Sequence, residues 1–141
     1  MTYQLIYSSQ ATSPMSVSDL EGILVHARRD NARRGITGAL VYVDGVFVQV
    51  LEGEKDAVLG LMDSIRRDPR HTSVTEFYQT ELEEPIFGHF KMAFLSATPD
   101  QMAVWAGLDG TATIQDILAE IHREPERASH VAENILRALV P

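Results

Sequence analysis

A chain of 141 residues with an apolar fraction of 45% has room for one domain with a real core and too little for two. Its net charge of −8 argues against nucleic acid, and the lack of cysteine excludes disulfides, thiol nucleophiles and thiolate metal sites. No apolar run approaches the roughly 18 residues of a membrane helix, and Met1 to Leu5 lacks the basic and apolar regions of a signal peptide, so a cytoplasmic location is expected.

Leu5-Ile6-Tyr7 is a short apolar run ending at Ser8-Ser9-Gln10, which predicts a buried first strand. Ser13-Pro14 marks a loop. Ser16 or Ser18 can cap a helix, and Glu21 stands three residues after Ser18, as a capping box requires. The helix carries Leu20, Ile23, Leu24 and Ala27 on one face and should stop before Gly35. Ile36 to Tyr42 and Val46 to Leu51 are strand-like, and Asp44-Gly45 between them is a strong hairpin signal. A second helix is predicted from Lys55 to Arg67, with Val58, Leu61, Met62 and Ile65 on its apolar face and Asp68-Pro69 as its stop. Thr72 to Leu82 mixes β-branched and aromatic residues and predicts a fourth strand. Phe87 to Leu95, with Phe90, Met92 and Phe94 at period two, contains a fifth.

The order βαββαββ over residues 1–96 implies an α+β, ferredoxin-like fold. Two helices should cover one face of a mixed, mainly antiparallel five-stranded sheet. Residues 97–141 read as a helical extension of three short amphipathic helices separated by Gly107, Gly110 and Pro125. Its apolar positions, such as Ile114, Ile117, Leu118 and Ile121, must bury against the bare sheet face or against a partner.

No G-x-S-x-G, P-loop or H-E-x-x-H occurs, and the five histidines lack metal-ligand spacing, so neither an enzyme nor a metal site is expected. What remains is polar residues at apolar positions. Tyr7 sits in a buried strand, Gln49 in the apolar run Val46 to Leu51, and Asn31 after the first helix. Singly, each is more simply a packing or helix-end residue. Gln49, however, shares a strand face with Phe47 and Leu51, and a buried amide needs partners for both donor and acceptor. Strands one and three are central in this fold, so Tyr7 and Gln49 can meet beneath the helices. A flat aromatic ligand could then slot between Ile23 and Ile65, with Asn31 on its polar edge.

Leu5-Ile6-Tyr7-Ser8-Ser9, Asn31 before Gly35-Ile36-Thr37-Gly38, Phe47 to Gly53 and Asp68-Pro69-Arg70-His71 together resemble the BLUF domain (blue light sensing using flavin) in order and spacing. The resemblance runs from residue 3 to about 96, and the tail resembles the helical extensions of short members. It implies a non-covalent flavin between the two helices, usually FAD, with FMN as the alternative. Tyr7 is then the redox-active phenol. Gln49 bridges it to the flavin N5 and O4 edge, and Asn31 holds the O4/N3 edge. Asp68 and His71 match positions near the ring and the ribityl side, and Ile23 and Ile65 match the aliphatic sandwich. Met92 is counted with Tyr7 and Gln49 as photoactive.

Three residues depart from the family pattern. Phe90 stands where the family usually has Trp, Ser64 where a basic residue is frequent, and Asp30 where an Asn is frequent. The Arg28-Arg29 and Arg33-Arg34 cluster reads as a solvated helix end, though a flavin phosphate nearby would also attract it. No output domain is recognised, so the implied signal leaves through a surface toward a downstream signalling protein, with the C-terminal helices as its candidate route. A homodimer or higher homo-oligomer is the expected state, since dimers are the commonest. The competing reading is a flavin-free ferredoxin-like interaction or dimerisation module, in which Tyr7 and Gln49 merely pack.

Overall fold

The computed structural model describes residues 1–109 and 113–140. Five strands form one sheet: β1 (Thr2–Ala11), β2 (Thr37–Val43), β3 (Val46–Gly53), β4 (His71–Leu82) and β5 (Ala93–Ser96). Their order is β4-β1-β3-β2-β5, and all neighbours are antiparallel except β2 with β5. The mixed α+β sheet expected from the sequence is therefore present. Helices α1 (Val17–Arg34) and α2 (Lys55–Arg67) cover one face. Helices α3 (Pro99–Trp105), α4 (Ile114–Arg123) and α5 (Glu126–Leu139) follow. Gly110, read as a break in the tail, lies outside the described residues.

Strand alternation divides the core in two. Leu5, Tyr7, Phe47 and Leu51 point toward α1 and α2, where they meet Ile23, Leu24, Val58, Leu61 and Met62. Ile6, Val41, Val48 and Val50 point the other way and pack with Ile114, Ile117, Ile121, Val131 and Ile135 of the tail helices. The β2–β3 hairpin turns through Asp44 (φ 49°) and Gly45 (φ 84°), the paired positive values of a two-residue type I′ turn. Gly38 on β2 is required by proximity: a Cβ there would collide with the Val50 carbonyl of β3.

Several boundaries differ from expectation. β1 runs on through Ser8 and Ser9, both buried, because their backbones stay in the ladder with β3, opposite Val48 and Phe47. The cap of α1 is Ser16, whose box partner is Asp19 and not Glu21. β5 is four residues long and begins at Ala93, so Phe90 and Met92 lie in the irregular segment before it. The amides of Ile86 and Phe87 bond to the Glu52 carboxylate in place of a neighbouring strand. Among the described residues no helix is long and apolar enough to cross a membrane.

Candidate functional site

A cleft opens between α1 and α2 above the middle of the sheet. It encloses about 560 Å³ of space free of protein atoms, its open mouth included. Tyr7, Asn31 and Gln49 line it, as do Ile23, Ile65, Asp68 and His71. The fold thus gathers these residues from β1, α1, β3, α2 and the following turn into one place. Met92 does not line the cleft but reaches it through Gln49.

The floor is a chain of three side chains. Tyr7 and Gln49 face each other directly across the β1–β3 ladder. The Tyr7 hydroxyl donates to Gln49 Oε1, and Gln49 Nε2 donates to the Met92 sulfur at 3.3 Å. All three residues are buried, Tyr7 at 1% exposure. Burial, with a smaller push from Asp68, raises the phenol well above its ordinary pKa of 10.0. Tyr7 is therefore neutral at any working pH, and an electron can leave it readily only if its proton moves as well. Gln49 is placed to take part, because a carboxamide both donates and accepts.

Asn31 lies inside α1 and not after it, at 1% exposure on the cleft wall, and its nitrogen donates to the Lys91 carbonyl at 3.3 Å. Its Oδ1 is buried with no partner among the described residues. An unsatisfied buried acceptor is costly, so it points to a ligand that brings an N–H. Ile23 and Ile65 supply aliphatic surface on the two helices. Apolar walls, a polar floor and a free edge acceptor suit a planar heteroaromatic ring such as a flavin.

At the far end, Asp68 forms a bidentate pair with Arg70, the shortest contact 2.6 Å. That guanidinium's hydrogen bonds hold the Asp68 carboxyl below the usual range. His71 Nδ1 lies 2.9 Å from Ser9 Oγ, and its ring tilts against Phe47. Burial lowers the imidazole pKa below its ordinary 6.5, against a smaller upward pull from Asp68, with Arg70 adding to the lowering. A base with a depressed folded pKa stabilises the fold above its unfolded pKa and loses that contribution as pH falls. Thermal melts at about pH 7.5 and about pH 5.5 should therefore show a drop that His71→Gln reduces. An equal drop in the variant would remove His71 from the account.

The sequence did not single out Arg70 or Leu40 as cleft residues, yet both line it. Two signals were present. Asp-Pro-Arg is a turn in which the Arg70 amide bonds back to the Asp68 carboxylate. Leu40 stands opposite Gln49 in the β2–β3 register. The atypical residues resolve locally. Asp30 is paired with His26 and Arg33, each at 3.1 Å. Ser64 bonds to its own helix at Gly60. Phe90 packs on the tail side of the sheet, edge-on to Phe87, and not in the cleft. Trp105 is on the tail side as well.

Comparison with known proteins gives a consistent result. Residues 2–93 match the family model described as BLUF, sensors of blue light using FAD. The chain is 40% identical over 136 residues to the photoactivated adenylate cyclase subunit beta of Euglena gracilis, covering 96% of this chain and 15% of that one. The alpha subunit from the same organism is 39% identical over 117 residues, or 83% of this chain and 11% of its own. The chain thus spans well under a fifth of the curated relatives it matches. The dark-state structure of BlrB, a BLUF protein, superimposes with a TM-score of 0.77 at 26% identity, covering 97% of this chain and 96% of that one. The ground state of BlsA gives 0.69 at 28% identity over 86% and 85%.

Proposed function

The chain belongs to the BLUF family of blue-light sensors, and on that premise we propose that it holds FAD non-covalently between α1 and α2 and signals through a rearrangement of Tyr7, Gln49 and Met92. The observation that carries the proposal is the continuous hydrogen-bond chain from the Tyr7 hydroxyl through the Gln49 amide to the Met92 sulfur. The family model describes a sensor.

Asn31 Oδ1 would accept from the ring edge, Ile23 and Ile65 would sandwich the ring, and Asp68 and His71 would flank its outer side. A bound flavin supplies blue absorption and, once excited, an oxidant strong enough to draw an electron from a phenol. The protein's share is the proton. The Tyr7 hydroxyl already donates to Gln49 Oε1, so its proton has an acceptor in place. When the proton and electron return, the amide can settle with its oxygen and nitrogen presented differently. Donor and acceptor then change at the floor while every side chain keeps its charge.

The output would follow the chain. Met92 directly precedes β5, which pairs with β2 and leads within three residues to α3. A shift at Met92 could reach the tail helices by that route, and we assign the receiver as a downstream signalling protein. The flavin-free interaction module is set aside by family membership.

The visible spectrum of the purified protein before and after blue light tests this reading. A yellow protein whose bands move slightly to the red and recover in darkness is expected. A colourless protein that takes up neither added FAD nor FMN would refute it, and uptake of FMN alone would correct the choice of flavin.

A further inference from the structure

Glu52 stands three residues beyond Gln49 on β3, so its side chain leaves the opposite face of the sheet. It is fully buried at 0% exposure. Among the described residues it has no ion-pair partner. A buried carboxylate without a counter-ion persists only where other donors replace water. Three do so here. Gln4, directly opposite on β1, donates from Nε2 at 2.9 Å. The backbone N–H groups of Ile86 and Phe87 donate at 3.1 and 2.7 Å.

Those two amides open the segment that ends at Met92. Within it, the Phe90 N–H closes a turn on the Phe87 carbonyl at 2.9 Å. Beyond that turn, Gly38 N–H donates to the Phe90 carbonyl at 3.1 Å, and Arg28 Nε donates to the Met92 carbonyl at 3.1 Å. The far end is thus tied to β2 and α1. The near end is tied by Glu52 to β3, the strand that also carries Gln49. One strand therefore holds the amide on one face and grips the approach to its sulfur partner from the other.

We infer that Glu52 is a positioning residue of the photoswitch, fixing residues 86–92 so that the Met92 sulfur stays within reach of Gln49, and that it thereby sets the lifetime of the light state. The inference rests on the reading of Tyr7, Gln49 and Met92 given above. Glu52→Gln nearly preserves volume but leaves one acceptor oxygen where there were two. Its NH₂ cannot accept from an amide, so Ile86 or Phe87 loses a partner and the segment loosens. A looser segment lowers the barrier by which Gln49 and Met92 return to their dark arrangement.

The test compares wild type, Glu52→Gln, Met92→Leu and the double variant, all as full chains. Two quantities are read: amide hydrogen exchange at residues 86 and 87 in darkness, and the rate of dark recovery after a blue pulse. Glu52→Gln should raise exchange at one or both amides by about tenfold and speed recovery by about fivefold or more. In the Met92→Leu background the exchange increase should persist, while the recovery rates with and without Glu52→Gln should agree within about twofold. Faster recovery of equal size in both backgrounds would overturn the inference, because Glu52 would then act by general loosening. Raised exchange with unchanged recovery would overturn it too. Should Glu52→Gln fail to fold, Gln4→Met removes only the side-chain donor and is read in the same two backgrounds, with the same pattern expected at smaller size. A failure of the photoswitch reading itself is distinct: wild type would then show no spectral shift at all.

Discussion

Gln49→Leu is expected to yield a yellow protein whose spectrum no longer shifts in blue light. Leucine is close to glutamine in volume and suits the apolar wall formed by Phe47 and Leu51, so flavin uptake should survive. What disappears is the link between the Tyr7 hydroxyl and the Met92 sulfur. The Tyr7 hydroxyl is left buried without its acceptor, at a cost of about 1–3 kcal/mol, partly offset by the apolar side chain. The variant should melt cooperatively, somewhat below wild type. The light-minus-dark difference spectrum decides the matter, and a shift of wild-type size in the leucine variant would remove Gln49 from the switch. Tyr7→Phe cuts the same chain from the other end and should silence the response with less change in packing. Gln49→Glu would not preserve the switch either, because an ionised carboxylate accepts from Tyr7 but cannot donate to sulfur.

The Tyr7–Gln49 pair was legible because it depends on two simple periodicities. Alternation along β1 and β3 assigns each residue a face, and the βαββαββ order makes those strands neighbours. Met92 obeys neither rule. Apparent alternation with Phe90 and Phe94 suggested one strand face, yet Phe90 and Met92 sit in an irregular segment and enter opposite cores. Backbone held by a side chain leaves no periodic trace in the sequence. Glu52 was hidden for a related reason. A carboxylate closing an apolar run reads as a strand end meeting water, and its three donors come from 34 to 48 residues away in the chain. β1 extends further than the apolar run because Ser8 and Ser9, though turn-like in composition, stay in the ladder with β3, and Ser8 pairs with β4 as well. Local composition locates apolar faces well, but it cannot see a polar group satisfied by a distant one.

Ending the chain after Ser96 is expected to cost most of its stability. The cleft is built from earlier residues, but the sheet beneath it has two faces. Val41, Val43, Val46, Val48 and Val50 are each at most 2% exposed, and they share one core with the tail's Ile114, Ile117, Ile121, Val131 and Ile135. Removing the helices returns that valine face to water, at roughly 1.5–3 kcal/mol per side chain. Denatured chains already bury part of such surface, so this is an upper figure. Even halved, the loss over five valines is comparable with the whole of about 5–15 kcal/mol by which a domain is stable. The truncated chain should bind a hydrophobic dye, associate, and lose its sharp thermal transition or melt more than about 10 °C lower. Calorimetry with light scattering measures both, and a monodisperse fragment melting within a few degrees of the full chain would show that the sheet does not need this cover. Any fraction that folds should still take up flavin, since among the described residues none that lines the cleft lies beyond position 96. On the proposed reading, movement passed from Met92 into β5 would meet helices whose apolar side chains are fitted against β2 and β3, so the tail would respond to the cleft without touching it.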